Sequence, residues 1–262
     1  GLEVKTVHTG ERVAALTVYG GYSEYIYVVE ADLVKVPSSL NAGETAAIIL
    51  NYTSAYQMLT RVARVKEGCS IFVTGASGGV GSALLDLGRM LNLVLYGTAD
   101  IRKQDALKEY GATLVDARSA DLVGFINEIK PEGVDFVFDG IGEEFIRKSF
   151  RILRRGGLLV EYGYSLKNFS YFLKFLISML SGIQKGRKAK GYGISASYKM
   201  NKKPILEDIS TLFGLLEQGK IKPLIYKQFP VLEAAEATRL LEERQVIGNI
   251  ILVNELFLNE RT

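Results

Sequence analysis

Residues 70–163 alternate between short apolar runs and longer amphipathic ones. The apolar runs are "SIFVTG" (70–75), "LVLYGTA" (93–99), "TLVDA" (113–117), "VDFVFDG" (134–140) and "GLLVEYG" (157–163). Near-continuous apolar strands of this length suit a parallel sheet buried on both faces. Helices are expected between them: one to about Leu91, then around Lys103–Tyr110, Asp121–Lys130 and Glu143–Leu153. Repeated βα units predict an α/β fold, a doubly wound parallel sheet with right-handed crossovers.

The flanks carry other patterns. Residues 11–37 are rich in Val, Tyr and Ile and read as strands around a turn at Gly20–Gly21. Within them "SEYIYVVE" (23–30) alternates, as a half-buried antiparallel strand does. Ser39 to Thr60 reads as a helix, and Gly68 marks the end of that region. Residues 165–190 join an apolar, aromatic helix to a basic tail, and "GYGISASY" (191–198) reads as a further strand. A helix at 205–217, a strand at 223–229, a helix at 232–244 and a strand at 247–253 follow. No run is long and apolar enough to span a membrane.

Composition narrows the function. At 48% hydrophobic residues the 262-residue chain can bury a substantial core. A net charge of +3 is no argument for nucleic-acid binding. Cys69 is the only cysteine and His8 the only histidine, so no intrachain disulfide and no metal site of several Cys and His ligands is expected. A triad through His8, near one end, is not expected either. The opening residues lack a charged start and an apolar core, so a secretory leader is not expected and a cytoplasmic location is.

The chemistry concentrates in "VTGASGGVG". The dinucleotide fingerprint is G-x-G-x-x-G, and here its positions fall on Ala76, Gly78 and Gly81. Gly78 lets backbone approach a pyrophosphate, and Gly81 lets the new helix press on the strand. Gly79 and Val80 open that helix, whose free N–H groups favour an anion, and Ser77 adds a hydroxyl donor. An NAD site ends its second strand with an acid for the ribose 2′-hydroxyl. Thr98 takes that place here, with Asp100, Arg102 and Lys103 just beyond. A neutral residue beside cations favours NADP(H), while Asp100 keeps NAD open, and Arg102 and Lys103 also read as a solvated helix start. Gly140 follows the fourth strand, at the expected switch-point crevice, and Asp139 is expected to order that loop.

"GASGGVG", "NYTSAYQML", "GERVAAL", "GGYSEY" and "FPVLEAAEATRLLEERQVIGNIIL" together resemble the medium-chain dehydrogenase/reductase superfamily. The likeness is to its zinc-free quinone-oxidoreductase branch, and to the subgroup with the synaptic-vesicle membrane protein relatives. The resemblance implies a GroES-like β-barrel catalytic domain with a Rossmann domain inserted in it. It places a partial catalytic domain at 1–51, the Rossmann domain at 52–215 and the return to the catalytic domain at 216–262. Family members carry several dozen residues before "GERVAAL", so the barrel is expected to be partial, with unpaired strand edges and exposed apolar surface. The cysteines of zinc-dependent relatives, after "ERVAAL" and near Leu50–Asn51, have no counterpart, so no zinc is expected.

The resemblance also implies hydride transfer from NADPH to a quinone or an α,β-unsaturated carbonyl compound. By motif match, Asn51, Tyr52 and Thr53 lie near the nicotinamide, and Tyr52 or Tyr56 donates to the acceptor oxygen, though each also reads as a packed aromatic. Gly163 and the backbone of Gly193, Ile194 and Ser195 contact the carboxamide, and Arg118 reaches the adenine side. "GYGISASY" matches the edge through which relatives pair, so a homodimer is expected. Residues 165–190 read as a cover for the cleft, a dimer interface or a contact with an anionic membrane surface. The competing function is a nucleotide-binding sensor or scaffold with little or no turnover.

Overall fold

The computed structural model describes residues 3–17, 19–119, 121–142, 144–163, 177, 180 and 186–254. The helix expected at 165–190 lies mostly outside them. The chain divides into two compact units, residues 1–54 with 194–262, and residues 55–193.

The second unit is built on a six-stranded parallel sheet. In chain order its strands are β3 (Ser70–Val73), β4 (Val94–Ala99), β5 (Thr113–Asp116), β6 (Val134–Asp139), β7 (Leu153–Tyr162) and β8 (Lys188–Tyr192). Their spatial order is β5-β4-β3-β6-β7-β8, with every neighbouring pair parallel. The chain winds outward from β3 to β5, then returns to the other side of β3 with β6. The crevice between β3 and β6 is therefore the switch point of a Rossmann-like sheet.

Alternation along the strands supplies both faces. One face sends Phe72, Tyr96, Val115, Val137 and Leu159 into a buried cluster with Leu122 and Ile126 of a helix at Leu122–Ile129 and Ile146 and Phe150 of a helix at Glu144–Ile152. On the other face, a Cβ at Gly88 would meet Leu95 and Ile71, so the helix Gly79–Met90 lies directly on β3 and β4 there. The wholly buried β3 thus reflects helices on both sides.

Two segments of this unit differ from expectation. Residues 101–110 form 3₁₀ turns, Ile101–Lys103 and Asp105–Tyr110, in place of an α-helix. Their bonds run from i+3 to i, Asp100 caps the start, and Gly111 closes the end with φ 68°. The strand expected at 191–198 begins earlier, as Lys188–Tyr192, and Ile194–Met200 is a helix. Part of the basic stretch is thereby drawn into the sheet, with Ala189 packed on the core and the half-buried Arg187 donating from Nε to Leu153 O at 2.7 Å.

In the first unit, β1 (Val13–Ala15) pairs antiparallel with β2 (Leu33–Lys35). β9 (Ile225–Pro230) pairs parallel with β10 (Asn249–Val253), and the helix Ala234–Glu242 makes the crossover. Helical segments run through 42–63, passing from the first unit to the second after Ser54, from Ala42–Ala47 through π turns at Ile48–Tyr52 and Met58–Ala63, ending on Arg64 with φ 54°. "SEYIYVVE" is not a strand: Tyr25 and Tyr27 are 81% and 104% exposed, and residues 23–29 pair with no described strand. The second unit ends at Gly193, and the helices Ile194–Met200 and Lys203–Glu217 belong to the first.

At the amino end of β3, Ser70 donates from N and Oγ to Asp135 Oδ2 at 2.8 and 2.7 Å, and Arg154 Nε donates to Oδ1 at 2.5 Å. Burial pushes the Asp135 carboxyl up, but the Ser70 bonds and the Arg154 charge outweigh it and hold it below the usual range. A depressed folded value stabilises above the unfolded value and is lost as pH falls through the folded one. Urea denaturation should therefore show a loss of stability below about pH 4 that is smaller in Asp135→Asn. At neutral pH that variant should be about 1–3 kcal/mol less stable.

Candidate functional site

The parallel strands all point one way, so the loops after them share one edge of the sheet. At its centre is the turn after β3. Gly75 takes φ +64°, its N–H donates to Thr98 Oγ1 at 3.1 Å, and Ala76 N donates to Thr98 O at 2.8 Å. Thr98 is fully buried, and its hydroxyl oxygen is spent on shaping the turn.

The helix Gly79–Met90 starts with Gly78 as cap, and Gly78 has no side chain to accept from the first-turn amides. Ala76 and Gly81 are buried, Gly78 is exposed, and Ser77, Gly79 and Val80 are half-buried. The turn is thus pinned at both ends and open along its backbone. A Cβ at Gly81 would lie 2.3 Å from Gly75 O, which only glycine avoids. A Cβ at Gly78 would have only an ordinary contact, 3.5 Å from the same oxygen. Such a cradle, at the start of a twelve-residue helix, fits a dinucleotide pyrophosphate.

Across the crevice, Thr74 Oγ1 donates to Asp139 Oδ1 at 2.7 Å and accepts from Gly140 N at 3.0 Å. Asp139 Oδ1 also accepts from Ile141 N and Gly142 N, and Oδ2 accepts from Ser149 Oγ. The expectation that Asp139 orders its loop is borne out. The Tyr162 ring covers Gly140 so closely that a Cβ there would approach it to 2.6 Å. Burial and the nearby Asp139 push the Tyr162 hydroxyl well above its ordinary value.

Charge gathers where β4 and β5 end. Ala99 pairs with Asp116, which puts Asp100 beside Ala117 and Arg118. Arg102 donates to Asp100 from N, Nε and Nη2, at 3.0, 2.9 and 2.8 Å. Arg118 Nη2 donates to Asp100 Oδ2 at 3.0 Å, and Arg118 N to Asp116 Oδ1. The hydrogen bonds and charges of these arginines drive the Asp100 carboxyl far below the usual range. Lys103 is half-buried, and burial draws its ammonium below the ordinary lysine value.

Gly163, with φ +75°, follows β7, and Gly193 follows β8 on the same edge. Tyr56 belongs to this unit and is half-buried. The remaining expected residues belong to the other unit. There Asn51 Nδ2 donates to Asn249 Oδ1, and Asn249 is itself held on Leu224 O at 2.9 Å. Tyr52 and Thr53 are fully buried, and Thr53 Oγ1 donates to Ile48 O. Ile194 and Ser195 open the helix Ile194–Met200.

A family model described as zinc-binding dehydrogenase matches residues 110–252. The chain belongs to that family. Within the medium-chain dehydrogenase/reductase superfamily its relatives are of the synaptic-vesicle and quinone-oxidoreductase kind. It is 32% identical over 258 residues to the rat synaptic vesicle membrane protein VAT-1 homolog, covering 93% of this chain and 63% of the relative. The chain therefore spans less than two thirds of that protein. The structure of the human VAT-1 homolog-like protein matches with a TM-score of 0.82 at 29% identity, over 97% of this chain and 75% of that one. The Escherichia coli quinone oxidoreductase complexed with NADPH matches with a TM-score of 0.84 at 25% identity, over 97% and 78%.

These likenesses make the parallel sheet the NAD(P)-binding fold of the superfamily. Among the described residues no group of three or more His, Cys, Asp or Glu side chains converges. The exposed His8 stands by Glu11, and Cys69 lies just before β3. Among the described residues no helix is long and apolar enough to cross a membrane.

Three residues that matter here were not singled out from the sequence. Thr74 ends an apolar strand on a polar residue, as Asp139 does on β6, and that matched pair is a readable signal. Gly97 stands inside a strand because a Cβ would lie 2.8 Å from Val73 O and 3.1 Å from Ala76 Cβ. Tyr162 gave no signal beyond its place at a strand end. The two glycines of the turn should separate in thermal melts. Gly81→Ala should cost roughly 2 kcal/mol or more, or fail to fold, whereas Gly78→Ala should melt within about 2 °C of wild type.

Proposed function

We propose that the protein is a zinc-independent oxidoreductase that binds NADPH on the carboxyl edge of its parallel sheet and reduces a quinone or an α,β-unsaturated carbonyl compound. The observation that carries this reading is the glycine turn Ala76–Gly81, pinned at both ends and exposed at Gly78, at the switch point. The likeness to a quinone oxidoreductase solved with NADPH supports it.

Each group on that edge has a role. The amides of Gly79, Val80 and Gly81 meet the pyrophosphate with the positive end of the helix, and Ser77 adds its hydroxyl. Lys103 and Arg118 recognise the ribose 2′-phosphate, and Thr98 serves by holding the turn. Gly140 and Gly163 let backbone approach the bound nucleotide, and the backbone of Gly193 receives the carboxamide. The cofactor, when bound, supplies the hydride.

As negative charge grows on the acceptor oxygen, a hydroxyl donor lowers the barrier. We assign that donor to Tyr56 ahead of Tyr52, because Tyr56 keeps part of its surface and Tyr52 keeps none. A homodimer through the edge strand β8 completes the proposal, and sedimentation should return twice the monomer mass.

The test couples binding to turnover. Calorimetry should register NADPH uptake, and absorbance should report its oxidation by an ortho-quinone such as phenanthrenequinone. Gly78→Ala should keep its melting temperature yet bind NADPH about tenfold more weakly, roughly 1.4 kcal/mol. No uptake of either nicotinamide nucleotide by the folded wild type would remove the proposal.

A further inference from the structure

Asp100 occupies the stretch where an acid in an NAD site would read the ribose diol. Its surroundings assign it another task. A carboxylate has about four acceptor sites. Arg102 N and Nε take Oδ1, while Nη2 of Arg102 and Nη2 of Arg118 take Oδ2. All four are used, and all by the two residues whose charge would favour a phosphate. Asp100 cannot accept from a ribose diol without releasing one of them.

The two guanidinium groups are held by one side only. Arg102 is 76% exposed and Arg118 67%. Among the described residues neither has a further side-chain partner beyond Asp100 and, for Arg118, Asp116. Each keeps N–H donors, Nη1 among them, that no described side chain takes. Arginine side chains carry large rotamer entropy, and a guanidinium already fixed loses less on meeting a phosphate. The pair sits at the ends of adjacent strands, and Asp100 lies two residues past the Thr98 that anchors the glycine turn.

We propose that Asp100 is a positioning residue for cofactor selection: its carboxylate braces Arg102 and Arg118 as a preformed clamp for the 2′-phosphate of NADP(H) and takes no part in recognising a ribose diol. The proposal rests on the dinucleotide reading above. It also explains how an acid near the end of the second strand is compatible with a preference for the phosphorylated cofactor. Two other roles are physically open to Asp100, and they differ in sign. A diol reader would strengthen NADH. A carboxylate that merely repels the incoming phosphate would weaken NADPH.

The experiment is a calorimetric double-mutant cycle on the full chain with NADPH, NADH and adenosine 2′,5′-bisphosphate. Asp100→Asn keeps an oxygen to cap the turn at Arg102 N, so the fold is preserved, and melting curves check this. It should weaken NADPH and the bisphosphate about fivefold to tenfold and leave NADH within about twofold. In an Arg102→Gln/Arg118→Gln background the same substitution should have no further effect, because the brace then has nothing to hold. Weaker NADH in Asp100→Asn, tighter NADPH, or an undiminished effect in the arginine-free background would each overturn the proposal. If the wild type binds NADPH and NADH but the cycle shows no coupling, the brace fails and the dinucleotide reading stands. If the wild type binds no nucleotide, both fall.

Discussion

Two hydroxyl–carboxylate pairs stitch β3 to β6, and the candidate site hangs on them. At the amino end, Ser70 donates to Asp135 and accepts from Asp135 N. Four residues on, Thr74 donates to Asp139 and accepts from Gly140 N. Between them the two strands run in register, Ile71 with Phe136 to Val73 with Phe138. The switch point is where a doubly wound sheet is least closed by helices, since the crossovers leave it in opposite directions. The side chains there do what packing does elsewhere. Because Asp139 also accepts from two loop amides and Ser149, a buried carboxylate is fully satisfied and the far wall of the crevice is fixed.

The near wall obeys a different constraint. The glycine turn must leave its amides exposed while its ends are immobile. Gly75 and Ala76 are tied to Thr98, and Gly81 presses on Gly75 O with no room for a methyl. Gly97 lets the same turn sit on β4. Rigidity therefore comes from residues that face away from any ligand, and the ligand-facing side is bare backbone. A phosphate meeting such a surface finds donors that need no reorganisation. The sheet edge also separates two jobs. In the proposed site, amides of the turn would serve a charge common to both nicotinamide nucleotides, and the side chains after β4 and β5 the difference between them.

Much of this edge was legible in the sequence. Five apolar runs before turns, spaced by helical stretches, identify a parallel sheet, and Gly78 and Gly81 identify its first turn. Asp139 was legible too, as an acid closing an apolar strand. Thr98 shows what a single chain of letters leaves open. Its place at the end of the second strand suggested a ribose-facing position, and in the sheet its hydroxyl accepts from Gly75 N. The division of labour among Asp100, Arg102 and Arg118 was also hidden. Arg118 reaches Asp100 only because Ala99 and Asp116 are register partners, which is a fact of strand pairing. The 3₁₀ turns after β4 were misread as an α-helix because Leu107 and Tyr110, three apart, satisfy both periods.

Strand formation itself was decided by neighbours more than by residue preference. "SEYIYVVE" has the alternation and the β-branched and aromatic content of a strand, and in the described residues it lies unpaired with its tyrosines exposed. "KAKGY" has no β-branched residue and a single aromatic, and it is β8, in register with Leu158–Tyr162. The difference lies in what each meets. β7 presents an open row of N–H and C=O groups beside Lys188, and filling that row satisfies polar groups that would otherwise close the sheet on solvent. Residues 23–29 meet no such row among the described strands, so their preference has nothing to act on. An apolar tract this exposed is a surface in need of a neighbour.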